Sequence, residues 1–309
     1  MNKIMNIVYC SNDNYSQHVA VSITSLIYNN KDTDIHFHII NSDFSDETKK
    51  TISKCMKFAN NKSKITFHKI DKRLFSALKL NIKYITIETY FRYLIADLLP
   101  KVDKCLYIDA DTIINKSIKE IYNTNIDDYY IAGANDTFIS QINYKHKIGL
   151  KNDDLYVNAG VLLFNLQKIR TDCMTQKLFD KTIELSYTIK FQDQDILNII
   201  FKDKIKKLAN AFNYTSADVL AGSFENFKDA LIFHYTGPQK PWDYFYRTGN
   251  ISELFYYKYL KLSPYNKNYN KLIYKNFLRY IFSRTRSGEI RSINILGFNI
   301  TYKKRKIFS

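Results

Sequence analysis

The stretch Lys104–Ile114, KCLYIDADTII, decides the fold class of this 309-residue chain. Its apolar run Lys104–Ile108 predicts a buried strand, and Thr112–Ile114 is a second short apolar run. Between them Asp109 and Asp111 are spaced i, i+2 at a strand end, so both carboxylates project to the same side. Two carboxylates placed in this way can hold one divalent cation, although the triplet also fits a simple capping turn.

Strand-like and helix-like segments alternate around this stretch, which is typical of an α/β fold with a mostly parallel sheet and flanking helices. The predicted strands are Ile4–Cys10, Asp34–Ile40, Lys64–Ile70 and, late in the chain, Ala230–Tyr235. The predicted helices are Val19–Tyr28, Ser45–Phe58, Thr86–Leu99, Leu166–Leu185 and Gln194–Phe201. Because no linker or repeat interrupts them, we expect residues 1–250 to form one domain.

The C-terminal region differs in charge from the rest of the chain. The net charge is +16, and residues 266–309 hold eleven Lys or Arg against Glu289 alone. Lys267, Lys271, Lys275 and Arg279 recur every fourth position beside aromatic and aliphatic residues. This spacing predicts a basic, aromatic-rich helical tail within residues 251–309 that either binds an anionic membrane surface or packs on the body.

Composition argues against several other classes of protein. The four cysteines form no CxxC pair, which fits a reducing, cytoplasmic compartment. No signal peptide is recognised and no apolar run is long enough to span a membrane. With 8 glycines and no GxGxxG, a dinucleotide or P-loop site is not expected. Because the basic charge is concentrated in the tail and no recognition motif is present, we expect no nucleic-acid partner.

Three further segments carry candidate chemistry. In His234–Trp242, HYTGPQKPW, the imidazole of His234 suits a metal, Gly237 permits close backbone approach, and Lys240 suits a phosphate. The same segment also fits a β-turn with a core histidine. Phe191–Asp195, FQDQD, opens a helix, where Asp193 fits an N-cap as well as a ligand site. Asn158-Ala159-Gly160 fits a bulge or turn equally well.

Taken together, six motifs in this order resemble glycosyltransferase family 8. They are IVYCSNDNY (7–15), TIETYFRY (86–93), LYIDADTII (106–114), YVNAGVLLFNL (156–166), FQDQDILN (191–198) and HYTGPQKPW (234–242). The family includes bacterial lipopolysaccharide and lipooligosaccharide glucosyl- and galactosyltransferases, with glycogenin as a distant relative. The likeness is greatest to the α-galactosyltransferases of this group and runs from about Met5 to Trp242.

The resemblance implies a GT-A type nucleotide-sugar fold, a UDP-hexose donor, Mn²⁺ (with Mg²⁺ as the alternative ion) and retention of anomeric configuration. It implies metal ligation by Asp109, Asp111 and His234. It implies that the donor sugar is contacted by Arg92, Asn158, Asp193 and Gln194. It implies that the nucleotide is contacted by Cys10, Asn12, Asn14, Tyr15, Asp109, Ala110, Asp111, Gly237 and Lys240. One position departs from the pattern, because close relatives have an acid where this chain has Asn12.

The expected reaction is transfer of galactose or glucose to a lipid-linked glycan acceptor by an enzyme peripheral to the inner face of the cytoplasmic membrane. Retention requires a covalent intermediate or attack on the same face of the sugar. Gln194, or Asp193 after a loop movement, is the candidate nucleophile. Since an amide oxygen is a weak nucleophile, same-face attack with Gln194 stabilising positive charge is favoured. A self-glucosylating protein, a basic nucleic-acid-binding protein and a nucleotidyltransferase are the alternatives.

Overall fold

The computed structural model describes residues 4–60, 62–82, 84–220, 222, 229–243, 252–287 and 290–303. The chain divides into two compact units, Met1–Pro238 and Gln239–Ser309. No helix within the described part of the chain has the length and hydropathy needed to cross a bilayer.

The first unit alternates strands and helices. Its strands are β1 Met5–Ser11, β2 Ile35–Asn41, β3 Lys64–Lys69, β4 Lys104–Ile108, β5 Thr112–Ile114, β6 Ile131–Asn135, β7 Val157–Asn165, β8 Ile205–Leu208, β9 Tyr214–Thr215 and β10 Ile232–His234. Its α-helices are α1 Ser16–Asn29, α2 Asp46–Ser53, α3 Ile95–Leu98, α4 Lys119–Asn123, α5 Thr137–Gln141, α6 Leu166–Thr171, α7 Met174–Glu184, α8 Gln192–Ile200 and α9 Ser216–Leu220. Short 3-10 helices include Ile87–Leu94 and Asn210–Asn213.

Among the described residues, seven strands form a central sheet in the order β3-β2-β1-β4-β7-β6-β8. Pairing is parallel from β3 through to β4 and between β6 and β8, whereas β7 runs antiparallel to both of its neighbours. A smaller sheet has the order β5-β10-β9, and its strand β5 is the next strand after β4 in sequence. The predicted α/β class with a mostly parallel sheet is confirmed.

The strand β4 lies in the middle of the central sheet and is buried on both faces. Cys105, Leu106 and Ile108 are fully buried, and the run pairs with β1 on one side and β7 on the other. An apolar run buried on two faces is the pattern of a central strand rather than a surface one. The chain leaves this strand at Asp109, turns through Asp111, and enters β5, which pairs antiparallel with β10. This connection brings the end of the central sheet next to His234.

Two predicted segments differ from the structure. The single predicted helix Leu166–Leu185 is wrong, because α6 and α7 are separated at Cys173, whose φ is +51°. The predicted helix Thr86–Leu99 is mostly a 3-10 helix, Ile87–Leu94, that continues into α3.

The second unit is only partly helical, which corrects the prediction of a helical tail. It contains α10 Ser252–Leu262 and α11 Lys267–Ile281, then an antiparallel sheet of β11 Phe282–Ser287, β12 Ile290–Ile295 and β13 Phe298–Lys303. Leu296 and Gly297 both have positive φ, as a two-residue hairpin turn requires. Apolar and polar residues largely alternate along β12 and β13, and this pattern favours strands over a continued helix.

Candidate active site

A cluster of three ligand-type side chains lies where β4, β5 and β10 meet. The ligand atoms of Asp109, Asp111 and His234 all lie within 4.8 Å of one another. Nε2 of His234 lies 3.3 Å from Asp111 Oδ1 and 3.7 Å from Asp109 Oδ2. The imidazole is buried, while the two aspartates are half-buried. Two carboxylates and an imidazole nitrogen converging on one point suit a divalent cation.

The His234 ring has close neighbours on two sides. Its Nδ1 lies 3.0 Å from the amide oxygen of Asn213, so the opposite nitrogen faces the aspartates. Gly160, on β7, lies so close that a Cβ atom there would overlap His234 Cε1 and approach Asp109 Oδ2 to 2.8 Å. The backbone of Gly160 also accepts a hydrogen bond of 2.7 Å from the N–H of Asp109. A glycine at this position therefore leaves room for the cluster.

A buried arginine connects Asp109 to the start of α8. The guanidinium of Arg92 lies 3.1 Å from Asp109 Oδ1, and its Nε lies 2.9 Å from Asp193 Oδ2. The hydroxyls of Tyr107 and Thr89 donate short hydrogen bonds to Asp109 and Asp193 respectively. Burial raises the pKa of Asp193 to about 6, although Arg92 and Thr89 oppose that change. Burial lowers the pKa of Arg92, but its anionic neighbours raise it more, so the guanidinium stays charged.

Gln194 and Asn158 lie together at an acidic residue, Asp136. Oδ2 of Asp136 accepts hydrogen bonds from Asn158 Nδ2 at 2.9 Å and from Gln194 Nε2 at 3.0 Å. The Oε1 atom of Gln194 accepts a hydrogen bond of 3.0 Å from the backbone N–H of Ala159. The next residue, Asp195, is buried and accepts from the hydroxyls of Tyr144 and Tyr156. These bonds fix the first turn of α8 beside β7.

The residues predicted for the nucleotide lie mainly after β1. Cys10 is buried within that strand, and burial raises the pKa of its thiol well above the usual value. Asn12 is buried and donates a hydrogen bond of 3.1 Å to Glu88 Oε2, while its own Oδ1 has no hydrogen-bond partner among the residues that the structure describes. Asn14 is exposed, and Tyr15 is half-buried with its ring edge-on to His18. A carboxylate is thus present in this corner, supplied by Glu88 rather than by residue 12.

The remaining predicted residues fall in both units. Ala110 is buried between the two aspartates, and Gly237 has a positive φ of 81°. Lys240 belongs to the second unit, where its backbone N–H donates to Asp243 and its Nζ lies 5.8 Å from the ring centre of Trp242.

Sequence reasoning missed several residues of this neighbourhood. Asn213 and Asp136 lie outside the six motifs and reach the site only because the fold brings separate segments together. Thr89 and Tyr107 lie inside two of the motifs, but their hydroxyl groups do not by themselves indicate a ligand site. The sequence indicates Gly160 only as part of a turn or bulge. The available signal is its place as the fourth residue of a mostly apolar strand, β7, because a glycine inside a strand commonly marks close approach of another group.

The chain belongs to glycosyl transferase family 8, whose model matches residues 6–246. A putative glycosyltransferase of Haemophilus influenzae is 36% identical over 244 residues, which cover 77% of this chain and 73% of that protein. A lipopolysaccharide 1,2-glucosyltransferase of Escherichia coli is 31% identical over 307 residues, 90% of this chain and 88% of that protein. The resemblance seen in the sequence is confirmed.

Solved structures give the same result. The galactosyltransferase LgtC, in complex with donor and acceptor sugar analogs, superposes with a TM-score of 0.74 at 28% identity, covering 87% of this chain and 96% of that chain. An active-site glutamine-to-glutamate mutant of LgtC superposes with a TM-score of 0.77 at 26% identity, covering 84% and 96%. The protein is therefore a glycosyltransferase with a GT-A type fold, related to lipopolysaccharide glucosyl- and galactosyltransferases.

Proposed function

We propose that the protein is a retaining, metal-dependent hexosyltransferase. It transfers galactose or glucose from a UDP-sugar to a lipopolysaccharide- or lipooligosaccharide-type glycan. The observation that carries this proposal is the convergence of Asp109, Asp111 and His234 on one point at the end of the central sheet. Ligands of open α/β sheets bind at that edge. The related LgtC structure with donor and acceptor sugar analogs supports the same class of substrates.

The three side chains fit a divalent cation. The donor set of two carboxylates and one imidazole suits Mn²⁺, with Mg²⁺ as the alternative ion, and Gly160 leaves the space that His234 occupies. When bound, the ion would act as a Lewis acid on the diphosphate leaving group. Asp109 and Asp111 would supply carboxylate ligands, and His234 would supply Nε2.

The remaining residues would hold the nucleotide. Cys10, Asn12, Asn14 and Tyr15 would contact uracil and ribose, and Glu88 offers a further acceptor beside Asn12. Ala110 lies between the metal-binding aspartates, where its backbone would approach the ribose or diphosphate. Gly237 would let the backbone approach the diphosphate closely.

The donor sugar would lie between Arg92, Asn158, Asp193 and Gln194. Asp193 is buried and lies 2.9 Å from Nε of Arg92, and Gln194 Oε1 already accepts a backbone hydrogen bond. Both groups are therefore held in place, which suits orientation and charge stabilisation better than nucleophilic attack. We propose that an acceptor hydroxyl attacks the anomeric carbon on the face from which UDP leaves. The bond from that carbon to the diphosphate oxygen would break, and this oxygen would take the acceptor proton. The Gln194 amide oxygen would stabilise positive charge that develops on the sugar ring.

A donor panel tests the proposal. Purified protein would be incubated with UDP-galactose, UDP-glucose and UDP-N-acetylhexosamines, with Mn²⁺ or with EDTA, and hydrolysis would be followed without acceptor. We expect hydrolysis of one UDP-hexose with Mn²⁺ only, and its loss in Asp111→Asn. Full activity in EDTA, or turnover of none of the UDP-sugars, would contradict the proposal.

We also propose that the second unit binds anionic membrane surfaces, which would place the enzyme beside lipid-linked acceptors. Exposed apolar side chains occur on α11, β12 and β13, and Phe298 is 78% exposed. Residues 266–309 carry eleven basic residues. Apolar side chains combined with basic residues attract anionic lipid by about 1 kcal/mol for each Lys or Arg near the surface.

Vesicle flotation tests this proposal on the full chain. We expect the protein to float with vesicles that contain anionic lipid and not with neutral vesicles. Phe298→Ser should weaken flotation, whereas the neighbouring exposed change Asn299→Ser should leave it unchanged. Equal flotation with neutral and anionic vesicles, or none with either, would refute the proposal.

A further inference from the structure

A continuous chain of side-chain hydrogen bonds connects Asp136 to His234. Asn158 Nδ2 donates to Asp136 at 2.9 Å, and Asn213 Nδ2 donates to Asn158 Oδ1 at 2.9 Å. Asn213 Oδ1 then lies 3.0 Å from His234 Nδ1. All four side chains are at least nine-tenths buried, so each hydrogen bond forms away from bulk water. Losing a partner inside such a network leaves a buried polar group unsatisfied.

The direction of each amide in this chain is fixed by groups that cannot reverse. The backbone N–H of Gly160 donates to Asn158 Oδ1 at 3.0 Å, so that atom is an acceptor. At its other end Asn158 must donate, because Asp136 accepts at Oδ2 from two amides and at Oδ1 from the N–H of Ile139. Asn158 therefore presents an oxygen to Asn213.

The same reasoning carries through to the imidazole. Asn213 must turn its NH₂ group toward the Asn158 oxygen, which leaves its own oxygen facing His234. An amide oxygen only accepts, so His234 Nδ1 must carry the proton. In the neutral imidazole the lone pair is then on Nε2, the atom that lies 3.3 Å from Asp111 and 3.7 Å from Asp109.

We propose that Asn213 is a positioning residue that fixes the tautomer of His234 for metal binding, with the polarity of the chain set by Asp136 and the Gly160 N–H. The inference rests on the proposed metal site. A histidine that binds a metal through one nitrogen commonly donates its other N–H to an outer group, and removing such a group typically costs 10–100-fold in metal affinity. Here that outer group is the side-chain amide of Asn213 rather than a carboxylate. Asn158, on β7, orients this amide by accepting its hydrogen bond.

Two measurements test the proposal. In metal-free protein labelled with ¹⁵N-histidine, at a pH where the imidazoles are neutral, we expect NMR to show the His234 proton on Nδ1. In Asn213→Leu, which keeps the branched shape of the side chain but removes the acceptor, we expect this preference to be lost. Mn²⁺ affinity, measured from the EPR signal of free Mn²⁺, should fall about 10–100-fold.

Asn210→Leu is the matched control. Asn210 lies on the same 3-10 helix, and its amide donates to Thr137 and Asp218 rather than to this chain. It should keep the wild-type tautomer and Mn²⁺ affinity, whatever stability it loses. An Nε2–H tautomer in the wild type would overturn the proposal, even if Asn213→Leu did not fold. Unchanged Mn²⁺ affinity in folded Asn213→Leu would also overturn it.

These outcomes separate this inference from the proposed function. The tautomer is read in metal-free wild-type protein and requires neither donor nor turnover. If the wild type bound no Mn²⁺, the proposed metal site would fail, whereas the NMR result would still decide what Asn213 does to His234.

Discussion

At the residue scale, Gly160 is the position where the smallest change should have the largest effect on the site. A methyl group there would overlap the His234 ring and crowd Asp109. We expect Gly160→Ala to lower Mn²⁺ affinity at least 10-fold, because the imidazole must move away from the aspartates. Isothermal titration with Mn²⁺ measures this effect.

Gly133→Ala is the matched control for that change. A Cβ at Gly133, on the neighbouring strand β6, would press against Leu162 and Val157 at 2.8–3.0 Å. Overpacking of this kind costs about 1–3 kcal/mol of stability. If Gly133→Ala and Gly160→Ala weaken Mn²⁺ binding equally, the effect is general loss of stability and the specific role of Gly160 is refuted.

Gln194 distinguishes the two routes to retention. Its side chain is held by the Ala159 N–H and by Asp136, so its removal takes away an oriented dipole rather than a nucleophile. We expect Gln194→Ala to lower kcat by no more than about 10²-fold. Complete loss of turnover in a variant that folds and binds UDP would instead support a covalent intermediate.

At the element scale, the strands β2 and β3 carry a histidine cluster apart from the site. His38 Nδ1 lies 3.1 Å from His68 Nε2, and the rings of His36 and His38 lie side by side. Burial lowers the pKa of His38 to about 3 and that of His36 to about 4, and Lys64 and the neighbouring imidazoles add to the effect. These histidines are therefore neutral in the folded protein.

Neutral buried histidines make stability depend on pH. Below the ordinary histidine pKa of about 6.5 the unfolded chain binds protons that the folded chain does not, so stability falls as pH decreases toward 4. We expect His38→Gln to reduce the loss of unfolding free energy between pH 7 and pH 5 by about 1–2 kcal/mol, measured by urea denaturation. The exposed change His146→Gln should leave the wild-type pH dependence intact, and an identical slope in His38→Gln would contradict this account.

The break between α6 and α7 places Cys173 in a left-handed backbone conformation. Cys173 is exposed and has a φ of +51°, a conformation that costs a residue with a Cβ roughly 1–2 kcal/mol. We expect Cys173→Gly to raise the unfolding free energy by up to about 1 kcal/mol, since glycine accepts positive φ without that cost. Chemical denaturation checks it, and a lower stability of the glycine variant would count against strain at this position.

Local signals explain which elements the sequence predicts well. Ser45 opens α2 by accepting from the N–H of Thr48, as its residue type indicates, and the apolar run before Asp109 forms β4. The break at Cys173 has no such signal, because no glycine or proline marks it. The sheet of the second unit was missed because the regular spacing of its basic residues favoured a helix that ends at Ile281.

At the scale of the whole molecule, the order of the strands brings distant residues together. Asp109 follows β4, His234 ends β10, and Asn213 directly precedes β9, yet the three meet because β10 pairs with both β5 and β9. The family resemblance of the sequence predicts Asp109, Asp111 and His234 as candidate metal ligands, and the structure brings the three side chains together. The sequence does not predict Asn213 or Asp136, because their part depends on hydrogen bonds between segments that only the fold brings close.

The proposed function depends on one cation that Asp109, Asp111 and His234 would hold. Its most direct test is diffraction near the manganese absorption edge from crystals grown with UDP and MnCl₂. We predict one anomalous peak within about 2.5 Å of a carboxylate oxygen of each aspartate and of His234 Nε2. A peak elsewhere with none between these side chains, or a His234 ring turned away from both aspartates, would contradict the account.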